Sequence, residues 1–309
     1  MLLSIIIPMY NCADTICSLL DSIILQNFKD YELILVDDGS SDCTLEKVIE
    51  YKTKMHNMIV LEQENMGAPS ARNLGLHSAS GKYIYFCDSD DLLSCDFFDL
   101  IKDDLYREEY DLVVGKVKHF TDEVIYGKEY QILIPGSNML KEKKYFMCDP
   151  IPGTKIYKKE IIDKYNIRFA NVKIGQDLNF YIKFLLSTKK VKECKNVIYY
   201  YRHREGSISR TYSIEKIIDI RESINDIIQF SKNTTHNYEE NKSVLEMLKL
   251  SNYNWQLKKK KNLESYDYED LKKELYSDIH LEIVDKRNFF PFFIATIDYI
   301  LIKYFDVIR

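Results

Sequence analysis

Three carboxylates, Asp88, Asp90 and Asp91, fall within four residues, with Ser89 between the first two. They follow directly on the apolar, aromatic stretch "KYIYFC". Like charges this close repel, and each resists leaving water. An Asp-x-Asp at the mouth of a buried strand therefore needs either a solvated loop or a positive partner. Mg2+ or Mn2+ is such a partner, because hard divalent cations bind through one or two carboxylates together with substrate phosphates. A cation held there stabilises the charge that develops on a departing diphosphate. Taken alone the motif is short, and a solvated acidic turn capping the helix that starts near Ser94 is the competing reading.

The elements around it favour the cation. "LLSIIIP" reads as a buried strand ended by Pro8, and "DTICSLLDSIILQNF" has helical spacing with Asp14 as N-cap. "YELILVDDGSSD" is a second strand running into a polar turn, and "CTLEKVIEYKTKM" a second helix. "NMIVLEQ" and "KYIYFCD" are the third and fourth strands, separated by a helix that opens near Pro69. Strands that are almost continuously apolar and alternate with helices predict an α/β fold, with a mainly parallel sheet covered on both faces. Ligands of such sheets bind at the carboxyl ends of the strands. The polar residues sit at those ends: Asn11, then Asp37 and Asp38 before Gly39 and Ser40, then Asn65, then Asp88–Asp90. No G-x-G-x-x-G and no G-x-x-x-x-G-K-[ST] is present, so neither a dinucleotide fingerprint nor a P-loop is supported.

Composition sets the outer bounds. The 309 residues suffice for a large core, and a net charge of −5 offers no basic field for nucleic acid. Seven scattered cysteines without a Cys-x-x-Cys argue against a disulfide scaffold or zinc site and for a reducing cytoplasm. The apolar start stops at Pro8 and has no basic n-region, so it reads as a strand and not a signal peptide. Beyond residue 110 further strands and helices follow less regularly, and from Ser213 the pattern is mostly helical. The expected division is 1–212 and 213–309.

"SIIIPMYN", "ELILVDDGSSDCT", "NMGAPSARNLGL" and "GKYIYFCDSDD", in this order and spacing, resemble the inverting family-2 glycosyltransferases of GT-A fold. The likeness is dense over residues 3–100 and sparser over 150–209. It implies a GT-A catalytic domain over 1–212, with a helical C-terminal region over 213–309. It implies transfer of a sugar, UDP-linked by preference, to a hydroxyl of a growing surface glycan, with Mn2+ or Mg2+ as cofactor. Pro8 and Tyr10 would line the base pocket, Asp38 would accept a hydrogen bond from the base, and Asp37 would support that turn. Arg72 would lie near the nucleotide. Asp88 would contact the ribose or the metal shell, Ser89 shares that turn, and Asp90 would ligate the metal. In "KIGQDLNF" Asp177 matches the general base, while Gln176 stands where Glu is common and would bear on acceptor positioning. In "YYYRHREGSIS" Arg202 and Arg204 would contact phosphates. His203, one place earlier than the matching histidine, is a metal-ligand candidate beside phosphate contact by Arg204. Lys155 is a donor or acceptor contact.

The segment "KRNFFPFFIATIDYILIKYFDVIR" is rich in aromatics, too short in its charge-free run to span a bilayer, and flanked by basic residues. It reads either as a helix lying on an anionic membrane surface, on the inner face of the cell membrane, or as a helix packed on protein. Two rival functions were weighed. A sugar-nucleotide pyrophosphorylase-type transferase would show a Gly-rich basic segment near its start, which "PMYNCADT" lacks. A non-catalytic member binding glycan or partners would be favoured by loss of Asp90 or Asp177, and both are present.

Overall fold

A computed structural model describes residues 1–121, 125–130, 145–146, 148–203, 214–258, 266–280 and 283. The strands are β1 (Leu3–Met9), β2 (Tyr31–Asp37), β3 (Met58–Glu62), β4 (Tyr83–Phe86), β5 (Leu92–Leu93), β6 (Leu112–Phe120), β7 (Ile125–Tyr130), β8 (Lys155–Lys158) and β9 (Val191–Arg202). The helices are α1 (Ile16–Ile24), α2 (Thr44–Tyr51), α3 (Ala68–Ser78), α4 (Phe97–Arg107), α5 (Lys159–Lys164), α6 (Gln176–Ser187), α7 (Ile214–Asn233), α8 (Tyr238–Lys258) and α9 (Tyr266–Ser277). The N-cap of α1 is Thr15, one residue later than the expected Asp14. The chain divides into two compact units. One comprises Met1–Gln131, Pro150–Asn171 and Ser187–Ser207, the other Ile132–Asp149, Val172–Leu186 and Ile208–Arg309.

The first unit is built on one sheet of order β3-β2-β1-β4-β8-β6-β9-β5, with β7 on β6. The four motif-bearing strands are parallel neighbours, so their carboxyl ends lie along one edge. Every residue of β1, β2 and β4 is buried, as strands covered on both faces require. Past β4 the direction changes: β8 is antiparallel to β4 and β6, and β9 runs parallel to β6. The two-residue β5 pairs antiparallel with β9, Leu92 opposite Tyr200 and Leu93 opposite Tyr199. The acidic turn thus leaves the sheet at β4 and returns to it on β9.

The second unit is helical where described. Asn179 of α6, fully buried, donates to the Ser223 carbonyl and the Asp226 carboxylate of α7 at 3.0 Å each. Lys183 pairs with Asp226 at 2.6 Å. In α8, Lys249 meets Glu246 at 3.1 Å and Asp278 at 3.6 Å. All seven cysteines are unbridged. No described helix is long and apolar enough to cross a membrane. The C-terminal apolar segment, Arg204 and Lys259–Lys261 lie outside the described residues.

One buried carboxylate ties the parallel strands together. Glu32 of β2 is 5% exposed and has Ser4 of β1 and the entry to β4 around it. It accepts from Ser4 Oγ at 2.6 Å, Ser80 N at 2.6 Å, Ser80 Oγ at 2.9 Å and Gly81 N at 3.1 Å. Burial opposes its charge, but these donors outweigh burial and hold the carboxyl below its ordinary value. The charged form's stabilisation is therefore complete above the unfolded pKa, about 4.3, and is lost as pH falls below it. Glu32→Gln is expected to cost about 1–3 kcal/mol at neutral pH and to flatten the acid limb of the stability curve. Denaturant titrations of both proteins between neutral and acid pH measure this.

Candidate active site

The exits of β1 and β2 are tied to each other. Asn11 takes φ +46°, a left-handed conformation that Asn tolerates better than other non-glycine residues. Its Oδ1 accepts from Ser41 N at 2.8 Å, and its own amide donates to Ser40 Oγ at 3.0 Å. Pro8 is buried within β1, while Tyr10 is 51% exposed. Asp37 Oδ2 accepts from Ser40 N at 3.1 Å, whereas its buried Oδ1 has no partner among the described residues.

Asp38 organises the next loop. It is 3% exposed and accepts from Gln63 Nε2 at 2.6 Å, Met66 N at 2.8 Å and Gly67 N at 2.8 Å. Gly67 has φ +88°, which a side chain would strain, and leads straight into α3. The sequence reading gave Asp38 to a bound base and Asp37 to the turn. In the structure Asp38 holds the turn's neighbour loop, and the acceptor without a partner belongs to Asp37.

Arg72 is carried by α3, which lies hard against the sheet. A Cβ on Gly75 would fall 2.5 Å from Ile6 Cγ2. Arg72 is 4% exposed, so it is not a surface helix residue. Its Nη2 lies 2.7 Å from Asp88 Oδ1, and its guanidinium is 5.2 Å from the centroid of the Phe169 ring. Asn73 fixes Phe169 by accepting from its amide at 2.9 Å and donating to its carbonyl at 3.0 Å.

The acidic turn is clamped from β9. Asp91, 1% exposed, accepts from the Tyr199 hydroxyl and, at 2.6 Å, from Arg202 N. The same Tyr199 oxygen accepts from Asp88 N at 3.3 Å. Arg202 Nε donates to the Asp90 carbonyl at 2.7 Å, with its guanidinium 4.4 Å from the Phe120 ring centroid. Burial first, and then the charges of Asp88 and Asp90, push the Asp91 carboxyl well above the usual range. Burial and its acidic neighbours thus favour the neutral form of Asp91, and a cation beside the turn would relieve that repulsion. Among the described residues no group of three or more His, Cys, Asp or Glu side chains could hold a metal by itself. A Mg2+ or Mn2+ ion takes one or two protein carboxylates and completes its shell on phosphates, and Asp88 and Asp90 are carboxylates of the kind it takes. Carboxylate oxygens are donors that Mg2+ and Mn2+ accept.

His203 follows β9 and donates its amide to the Phe120 carbonyl at 2.9 Å. Its Nε2 is 2.7 Å from Nδ1 of His119, the penultimate residue of β6. Burial, and secondarily the neighbouring His203, lower the pKa of His119. Lys155 is 1% exposed, with its ammonium donated to Thr154 Oγ at 2.7 Å and the Ile151 carbonyl at 3.1 Å. Gln176 and Asp177 form the first turn of α6, in the second unit. The preceding Gly175 carbonyl accepts from Asn179 N and Ser223 Oγ, both at 2.8 Å, which fixes the start of that helix.

The first unit thus brings Tyr10, Asp37, Asp38, Arg72, Asp88, Ser89, Asp90, Arg202 and His203 to one edge of its sheet. Asp91, Tyr199, His119 and Phe169 were missed as members of this arrangement. Asp91 was visible as a charge but not as a buried one. Tyr199 sits in a run of three tyrosines that look alike, and nothing local marks His119 or Phe169.

Residues 4–165, more than half of the chain, match the family Glycosyl transferase family 2. Glycosyltransferase GlyA of Streptococcus pneumoniae is 28% identical over 90% of this chain. The chain spans only 41% of GlyA's length. Poly(ribitol-phosphate) beta-N-acetylglucosaminyltransferase TarS of Staphylococcus aureus is 28% identical over 66% of the chain, which corresponds to 36% of TarS. The structure of TarS residues 1–349 with UDP-GlcNAc superposes with a TM-score of 0.74 at 22% identity, covering 93% of this chain and 82% of that one. The mannosyltransferase PcManGT of Pyrobaculum calidifontis, with GDP-Man and Mn2+, has a TM-score of 0.57 at 19% identity, over 83% of this chain and 72% of its own. These likenesses bear out the expected GT-A fold.

Tyr199→Phe removes a donor from the buried Asp91 and the acceptor from Asp88 N. It is expected to cost about 1–3 kcal/mol and to speed amide hydrogen exchange at Asp88–Asp91. Unchanged exchange there would mean that β9 does not hold the turn.

Proposed function

The chain belongs to glycosyl transferase family 2, and from that premise we propose that it moves a sugar from a UDP-linked donor to a hydroxyl of a growing surface glycan. The observation that carries the reading is the charged turn Asp88–Asp91 at the strand ends, with Arg72 and Arg202 beside it. Tyr10 is exposed for stacking on a base, and the Asp37–Asp38 turn supplies an acceptor for a base N–H. UDP is preferred over other nucleotides because TarS, the better-superposing relative, was solved with UDP-GlcNAc. A hydroxyl on a polymer is favoured as acceptor because TarS is named for poly(ribitol-phosphate), a hydroxyl-bearing polymer.

Asp90 is the proposed metal ligand, with Asp88 at the ribose or the metal shell and His203 as a further ligand. A bound Mn2+ or Mg2+ would stabilise the diphosphate as a leaving group. Arg202 and Arg204 are assigned to its phosphates, and Lys155 to a donor or acceptor contact. Asp177 is the proposed general base. It would take the proton from the acceptor hydroxyl as that oxygen attacks the anomeric carbon, on the side opposite the diphosphate, so that configuration inverts. Gln176 beside it would position the acceptor. Residues 1–212 would carry the transfer. The region 213–309 would make contacts outside it, on the cytoplasmic membrane face or on protein.

Two measurements test this. A ligand that binds only the folded state raises its stability by mass action, by about 2.7 kcal/mol at a hundred times its Kd. UDP is expected to raise the unfolding midpoint only with Mn2+ or Mg2+, and Asp90→Ala to abolish the rise. A shift with a different nucleotide would overturn the donor, and no shift with any nucleotide would favour a non-catalytic binder. Asp177→Asn is expected to keep the UDP shift and lower turnover about 10²–10⁴-fold. Wild-type turnover in that variant would remove Asp177 as the base.

A further inference from the structure

His119 belongs to none of the family-like motifs, yet it makes a specific contact with a residue assigned to the metal. Its Nδ1 stands 2.7 Å from His203 Nε2, with ring centroids 4.5 Å apart. The contact is set by backbone pairing. β6 and β9 run parallel with His119 opposite Tyr201 and Phe120 opposite Arg202, and the His203 amide then bonds the Phe120 carbonyl. The Tyr201 ring lies edge-on to both imidazoles, 5.4 Å from each.

Two neutral imidazoles can share this N···N contact in two ways. If His119 Nδ1 carries the proton, His203 Nε2 accepts it, and neutral His203 must be protonated on Nδ1, where it cannot ligate a cation. If His203 Nε2 carries the proton, His119 accepts, and the lone pair of His203 is on Nδ1. Histidines that ligate metals characteristically donate their other N–H to a nearby acceptor, which fixes tautomer and ring orientation.

We propose that His119 is a positioning residue, accepting the Nε2 proton of His203 and so presenting His203 Nδ1 as a ligand to the divalent cation bound with the diphosphate. This rests on the assignment of His203 to the metal. His119 itself touches neither cation nor donor. An acceptor fixed on a strand does this better than water, because β6 sets both its distance and its direction.

The test is Mn2+ binding to the full chain in the presence of UDP, followed by the electron paramagnetic resonance signal of free Mn2+. His119→Leu is expected to weaken Mn2+ about 10–100-fold. His119→Asn, whose side-chain oxygen can stand near the Nδ1 position, is expected to stay within a few-fold of wild type (about threefold at most). ¹⁵N spectra of the wild type should show His203 protonated on Nε2, and His119→Leu should mix its tautomers. If His203→Ala leaves Mn2+ affinity unchanged, the assignment of His203 to the metal fails and this inference with it. If His203→Ala weakens Mn2+ but His119→Leu does not, only the inference fails. Equal losses in His119→Leu and His119→Asn would overturn it in favour of ring packing. Should His119→Leu not fold, a wild-type His203 protonated on Nδ1 overturns it alone.

Discussion

Repulsion within the Asp88–Asp91 turn is the constraint to which the rest of the first unit answers. Carboxylates this close cannot all stay charged and buried without compensation. The fold meets the problem with a different solution for each. Asp88 has a buried guanidinium, Asp91 is held by a tyrosine hydroxyl and a backbone amide and pushed toward its neutral form, and the Asp90 backbone carbonyl is bonded by Arg202, which brings a guanidinium to the turn. These partners come from α3 and β9, elements far apart in sequence. Docking those elements is therefore part of building the turn.

The supports differ in kind. Arg72 is fixed along its length, by the close approach of α3 to the sheet, by Phe169 beneath it and by Asn73 holding Phe169. An arginine so held presents its charge without the entropy cost of ordering a long side chain when ligand arrives. Tyr10, by contrast, lies half in solvent. The edge of the sheet thus combines rigid charge with an open aromatic surface.

Much of this edge was legible in the sequence because strands buried on both faces advertise themselves as apolar runs, and the residues ending them are forced to the rim. Asp37, Asp38 and Asp88–Asp90 could be read that way. What could not be read depends on pairing between distant segments. β9 carries a run of three tyrosines, and only its register with β5 makes Tyr199 the one that meets Asp91. His119 becomes notable only through the β6–β9 pairing. The partition of hydrogen bonds between Asp37 and Asp38 was equally hidden, since adjacent aspartates in a turn look interchangeable until the loop at Gln63–Gly67 is in place. The pattern near residue 212 suggested a boundary there, but it could not show that Asn179 and Lys183 of α6 bind to α7.

The link between β4 and β5 has a consequence for how this chain can vary. Its two ends are anchored on different neighbours, β4 on β1 and β8, β5 on β9. The stretch Cys87–Asp91 therefore joins two separately registered strands through a turn closed by the Asp91 amide on the Asp88 carbonyl. One residue added or removed would slip Leu92 and Leu93 against β9 and turn their side chains to the opposite face. The stretch is therefore constrained in length by the register of β5 as well as in residue type by its carboxylates. Length variation among relatives should collect elsewhere on the rim, where loops are joined at one strand only.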